Sequence, residues 1–237
     1  MPFCSFIVLR QPNIWYSTVS LGYLGCTMKV LVLCDDYWHP ARIPREGLGA
    51  LNRTGFTFDW IEDARDLSPE TIPTYPLVIL TKSDNVSSKD QTGWMTEELQ
   101  AAFSKYVHDG NGLLAIHSGT AEYEQKPILR NLLGGVFISH PEQCPVTVTP
   151  HMGHPLCDGS TPFTLKDEHY FMAMDDPEVD VFVTTSSAYG EQPGAWRRAE
   201  GNGRVAVLTP GHNLEVWLHP SFQTLVINCL GWCAKFL

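Results

Sequence analysis

Apolar residues come first in short unbroken runs and later in alternation. Residues 29–34 read KVLVLC, 76–81 PLVILT and 112–117 GLLAIH, each followed by polar or turn-forming residues. Runs of this length predict strands that helices cover on both faces. Between them, REGLGALNR (45–53) predicts a helix and FTFDWI (56–61) a further strand. Residues 92–110 place Trp94, Leu99, Ala102, Phe103, Tyr106 and Val107 at helical spacing, with Gly110 positioned to end the helix.

After Gly135 the rhythm changes. CPVTVTP (144–150), FTLKDEHY (163–170), VDVFVTTS (179–186) and GAWRRA (194–199) are strand-like and separated by Pro, Gly and Asp turns. GRVAVLTPGH (203–212) returns to the buried-strand pattern, and SFQTLVINCLGWCAKFL (221–237) predicts a closing amphipathic helix. The order implies an α/β fold: a doubly wound, mostly parallel sheet with helices on both faces and an antiparallel excursion in the second half. No linker interrupts residues 28–237, so one domain is expected there. Met28 opens the first strand, and residues 1–27 are expected to be an extension outside the core.

Composition narrows the function classes. The 237 residues are 43% hydrophobic and 18% charged, as in ordinary globular proteins. A formal charge of −10 with no local basic patch argues against a nucleic-acid partner. The seven cysteines include no CxxC pair and are expected to be reduced thiols of a cytoplasmic protein. Cys229 and Cys233 stand one helical turn apart on an apolar face and are read as core residues. No apolar run reaches a membrane span, so no membrane partner is expected. Association into a homo-oligomer is left open.

Candidate chemistry collects where strands end. In open α/β sheets, ligands bind outside the carboxyl ends of the strands. The first run leads into Asp35, Asp36, Tyr37, Trp38 and His39, the third into Lys82, Ser83, Asp84 and Asn85, the fourth into His117, and the late strand into His212. His140 and Glu168 lie on connections able to fold over the same rim. The expected catalytic residues are His117, His212 and Glu168; Trp38, Tyr37 and Asp84 are expected to bind substrate. Four histidines, His39, His117, His140 and His212, are candidate ligands of a divalent transition metal such as zinc or manganese. Imidazoles and carboxylates without a metal would equally suit proton transfer, and residue types alone leave both open. His117 is expected on a sharp elbow with its side chain exposed at the sheet top. His108, His154 and His219 are read as structural, and His169 as a weaker candidate. No strand-to-helix turn carries a glycine-rich phosphate loop, so neither a nicotinamide nor a flavin cofactor is expected.

A linked set of motifs resembles the ThuA-like, trehalose-utilisation family. They are CDDYWHP, GFTFDWIEDA, GNGLLAIHSG, FISHPEQCPVTV, GHPLCDG, KDEHY and LTPGHNLEVWLHPSFQTLVINCLGWC, running in this order through residues 28–237. The resemblance implies a fold similar to that of class I glutamine amidotransferases and flavodoxin-like sheets. Those amidotransferases carry a cysteine on a GxCxG elbow. Here the matching stretch is AIHSG, with His117 in the nucleophile's place, so amide hydrolysis through a thioester is not expected. What the resemblance implies instead is carbohydrate metabolism: a lyase, isomerase or hydrolase acting on an oxidised, 3-keto disaccharide or glycoside such as 3-keto-trehalose. A non-catalytic sugar-sensing domain and a metal-dependent small-molecule hydrolase are the competing expectations.

Overall fold

A computed structural model describes residues 27–51 and 55–236, so the N-terminal extension expected over residues 1–27 lies almost wholly outside the described residues. The first half contains β1 (Met28–Leu33), α1 (Arg42–Gly49), β2 (Phe56–Ile61), β3 (Leu77–Leu80), α2 (Glu97–His108), β4 (Gly112–Ile116) and α3 (Pro127–Leu133). The second half contains β5 (Gly135–Ser139), β6 (Cys144–Pro150), β7 (Phe163–Asp167), β8 (Phe171–Met174), β9 (Asp180–Ser187), β10 (Gly190–Glu200), β11 (Gly203–Leu208), α4 (Leu214–Trp217) and α5 (Pro220–Cys233).

Nine strands form one sheet in the order β2-β1-β3-β4-β11-β10-β9-β6-β7. The pairings from β2 through β11 are parallel, and those from β11 through β7 are antiparallel. The expected excursion is therefore not set aside from the sheet but continues it by four strands. Strands β5 and β8 pair separately, as a two-stranded sheet.

The unbroken apolar runs are explained by two cores, one on each face. Val30 and Val32 of β1, Ile79 of β3, Leu114 and Ile116 of β4 and Leu208 of β11 pack with Leu48 of α1 and with Phe222, Val226 and Leu230 of α5. The alternate residues Leu31, Leu33, Val78, Leu113, Ala115 and Val207 pack with Phe103 and Val107 of α2 and Leu129 and Leu133 of α3. At about 25 cal/mol per Å² of buried apolar surface, these layers supply the main driving force for folding. Cys229 and Cys233 are part of the first core, and burial drives both thiols upward, Cys233 to about 12.

Local chemistry sets the helix ends. Thr96 Oγ1 accepts from Leu99 N at the start of α2 (3.3 Å), and His219 Nδ1 accepts from Ser221 N at the start of α5 (3.2 Å), where Pro220 occupies the first turn. His219 is thus a cap. His154 likewise accepts from Leu156 N at 3.2 Å and faces Asp180 at 3.1 Å. The pattern of apolar positions does not reveal α3, whose seven residues are too few to show a clear period; it ends at Gly134 with φ 78°.

What matters for function is where the parallel half changes direction. From β1 the chain adds β2 on one side, then β3 and β4 on the other, so the crevice between β1 and β3 is the switch point of the winding. The loops after β1, β3, β4 and β11 all leave the sheet at this edge.

Candidate metal centre

Three imidazoles and one carboxylate meet above that edge. One donor atom each from His39, His117, Glu168 and His212 lies within 4.8 Å of the others. His39 comes from the loop after β1, His117 from the end of β4, His212 from the loop after β11, and Glu168 from the residue after β7. His117 sits at φ 48°, a left-handed conformation that turns the chain sharply out of the strand. Two residues on, Gly119 lies against the carbonyl of Leu80 so closely that any Cβ would collide with it.

Each histidine loop is anchored from behind. Asp36, fully buried, accepts from Trp38 N, His39 N and His39 Nδ1 with Oδ1 (2.9, 2.9 and 2.7 Å) and from Ser83 N with Oδ2 (2.9 Å). Burial pulls the Asp36 carboxyl upward, but the hydrogen bond and charge of His39 together with the amides of Ser83 and Trp38 outweigh it and hold the pKa below the ordinary value. Asp167 performs the matching task for His212: it accepts from Gly211 N, His212 N and Asn213 N at 2.9, 3.0 and 3.3 Å. The buried Lys82 donates to the carbonyls of Cys34, Asp35 and Glu62, tying the exit of β1 in place.

These anchors determine which nitrogens face inward. His117 Nδ1 lies 2.8 Å from Thr209 O, and a carbonyl only accepts, so Nδ1 carries the proton and Nε2 offers its lone pair. In neutral His39, Nδ1–H donates to Asp36 by the same logic, freeing Nε2. His39 Nε2, His117 Nε2 and His212 Nδ1 are buried without a hydrogen-bond partner. Glu168 Oε2 stands 3.4 Å from His117 Nε2 and 3.1 Å from His212 Nδ1, without hydrogen-bond alignment to either.

The charges respond accordingly. Burial opposes ionisation of Glu168, yet His117 and His212 beside it prevail and hold its carboxyl far below the usual carboxylate range. Burial also disfavours a charged His212, but Glu168 reverses the balance and raises its pKa. For His117 burial wins, and its pKa falls. Three inward-facing nitrogens and an ionised carboxylate form a donor set that suits zinc, manganese or iron, and these four residues are able to hold such an ion.

The remaining expected residues are placed differently. His140 stands at the rim, its Nε2 3.6 Å from Glu168 Oε1, and is outside the four-donor set. The expected exposure of the His117 side chain is wrong. It is 1% exposed, because Tyr170 stacks on it with ring centroids 4.0 Å apart, and Phe137 packs on Tyr170 at 4.1 Å. Asp84 does not reach the cluster: Oδ1 accepts from Trp94 N and Met95 N at 2.9 and 2.8 Å, and Oδ2 pairs with Lys126 at 2.8 Å. Trp38 is 59% exposed and forms one wall of the pocket over the cluster, whereas Tyr37 stands edge-on to Trp38 and does not line it. That pocket, about 430 Å³, is also lined by Ser83, Glu122, Phe137 and Tyr170, none of which the strand-end reasoning gave a role. His169 hydrogen-bonds Ser187 Oγ at 2.7 Å and belongs to no donor set.

Among the described residues no helix is long and apolar enough to cross a membrane. No curated protein matches the chain. Two solved structures of ThuA-like proteins share its fold. The one from Bacteroides uniformis is 21% identical, with 91% of this chain and 95% of that chain covered and a TM-score of 0.70. The one from Parabacteroides merdae is 17% identical, with 89% and 91% covered and a TM-score of 0.70. A β-galactosidase from Rahnella sp. R3 contains a similar fold in 32% of its length, covering 90% of this chain at 17% identity and a TM-score of 0.59. The family model described as ThuA, trehalose utilisation, matches residues 29–233, and the chain belongs to that family.

Proposed function

We infer that the protein is a metal-assisted enzyme of carbohydrate metabolism acting on an oxidised, 3-keto disaccharide or glycoside. The observation that supports the metal is the convergence of three buried, unpartnered imidazole nitrogens on an ionised Glu168. Leaving such atoms unsatisfied costs about 1–3 kcal/mol each, a cost a bound cation removes. Membership of a family associated with trehalose utilisation supports the sugar.

His39, His117, Glu168 and His212 would hold the ion, and Asp36 and the Thr209 carbonyl orient two of the imidazoles. When bound, a divalent metal supplies Lewis-acid polarisation of a substrate oxygen. Residues that serve as ligands are not free to move protons, and burial keeps the Tyr170 phenol protonated, so that role passes to Glu122 and His140, which also line the pocket. A ketone at C3 acidifies the hydrogen at C2. Glu122 takes that proton, and the electron pair left on C2 either returns with a proton, giving isomerisation, or expels the substituent at C1. His140, which lines the same pocket, returns or delivers the proton.

Metal content and turnover of 3-keto-trehalose, followed by mass spectrometry before and after chelation, test the reading. Turnover is expected to vanish on chelation and to return with one type of divalent ion. Unchanged turnover in metal-free protein would refute the metal-assisted mechanism, and sugar binding without conversion would favour a sensing domain.

A further inference from the structure

The pocket over the histidines does not end at its rim. A second cleft of about 370 Å³ opens beside it, lined by Asp84, Asn85, Gln91 and Gly93, and Trp38 and Glu122 are walls of both. The linings differ in kind. Around the cluster imidazoles and aromatic rings predominate beside Glu122 and Glu168; in the second cleft, apart from Trp38 and Gly93, they are amides and carboxylates, groups that exchange hydrogen bonds with vicinal hydroxyls, each of which both donates and accepts.

The second cleft is built rather than incidental. Asp84 is oriented by two backbone amides and by Lys126. Asn85, 3% exposed, accepts from Tyr37 N at 3.3 Å and donates to Glu122 Oε2 at 2.6 Å. Glu122 holds a left-handed backbone at φ 64°, a strain that structures retain where surroundings impose it. A Cβ at Gly93 would lie 2.9 Å from Asp84 Oδ2, so glycine keeps that carboxylate unobstructed. Trp38 projects between the two spaces with much of its indole exposed, a face on which the C–H side of a pyranose can stack. Two carboxylates line the cleft, among the described residues no cation lines it, and Lys126 beside it is paired with Asp84, so an anionic substituent is repelled.

Resting on the sugar reading above, we propose that this cleft is a subsite for a second, uncharged sugar ring, and that the substrate is an unphosphorylated disaccharide lying astride Trp38. One ring occupies the pocket over the histidines, and the other is held by Asp84, Asn85, Gln91 and Glu122.

Calorimetric binding of glucose, trehalose and trehalose 6-phosphate to the metal-loaded full chain tests this directly. Trehalose is expected to bind at least about tenfold more tightly than glucose, a difference of about 1.4 kcal/mol, and the phosphate more weakly than trehalose. Gln91 is exposed, so Gln91→Trp should fold; by filling the cleft it should bring the ratio of trehalose to glucose affinity close to one, and Gln91→Ala should reduce it. Metal content and melting temperature of each variant report whether the fold is intact. The subsite is refuted if trehalose binds no better than glucose, if the phosphate binds as well, if none of the three binds, or if the preference survives Gln91→Trp. Equal kcat/KM for 3-keto-trehalose and 3-keto-glucose would also count against the subsite alone. A binding preference for trehalose with neither 3-keto sugar converted would support the subsite and count against the enzymatic reading.

Discussion

Strand β4 is buried at every residue from Gly112 to Ile116, whereas β7, at the far edge of the same sheet, alternates: Phe163 and Asp167 are buried, and Thr164 and Lys166 face solvent. The first belongs to the parallel half, sandwiched by helices; the second to the antiparallel half, open on one side. Their contributions to the site follow this difference. The parallel half supplies three imidazoles on loops pinned by its own Asp36 and Lys82 and, across the sheet, by Asp167 of β7. The antiparallel half supplies Glu168, whose acidity is set by the imidazoles it approaches. The parallel half supplies the imidazoles, and the antiparallel half supplies one of their anchors and the compensating charge.

The largest expected effect separates the two halves by stability. Leu114→Ala, in the middle of β4, should cost about 2–5 kcal/mol, while Thr164→Ala on β7 should stay within about 0.5 kcal/mol, both read by chemical denaturation. Equal costs would erase the distinction. Next, Glu168→Gln should lower turnover by at least about 10²-fold and reduce bound metal while the fold persists, because only the charge from the antiparallel half is removed. A variant with full metal content and activity would show that the parallel half suffices. Asp36→Asn should leave the ligands in place but loosen His39, weakening metal affinity by about 10–100-fold in a competition titration. If affinity is unchanged, the anchor behind His39 has no bearing on the metal.

The smallest effect is in pH dependence of the metal-free protein. The raised His212 pKa means that its pairing with Glu168 stabilises fully below the unfolded histidine value of about 6.5 and fades as pH rises through the folded value. The depressed Glu168 pKa means that its share is present above the unfolded value of about 4.3 and is lost as pH falls. The melting-temperature difference between the parent and Glu168→Gln should therefore peak between about pH 4.3 and 6.5. A difference that is flat from pH 5 to 9 would show that the two halves do not communicate through this pair.

The same division explains what was legible in the sequence. Strands β1, β3, β4 and β11 announce themselves because burial on both faces confines polar residues to their beginnings, Lys29 and Arg204, and the groups after them share one edge because parallel strands all end there. That argument reached His39, His117 and His212, and the polar KDEHY stretch drew attention to Glu168. It missed whatever depends on contacts between distant segments. Tyr170, 53 positions from His117, buries the elbow that chain-local reasoning left exposed. The tasks of Asp36 and Asp167 rest on backbone amides, which no side-chain pattern reveals, although Asp36 standing three residues before His39 is the spacing of a carboxylate that closes a turn. The position of Asp84 after β3 places it not at the histidine cluster but in the cleft beside it, with Oδ1 turned to the amides of the following segment.

The left-handed backbone at His117 has a consequence for how substitutions there would be sorted. Glycine, and to a lesser degree asparagine, adopt that conformation most easily. A library randomised at this codon and screened only for folded, protease-resistant protein should therefore enrich the two residues that relax the turn. The same library grown under demand for the protein's chemistry should return histidine. Two selections applied to one position would thus give disjoint answers, and the distance between them measures how far the demands of the turn and of the ligand pull apart.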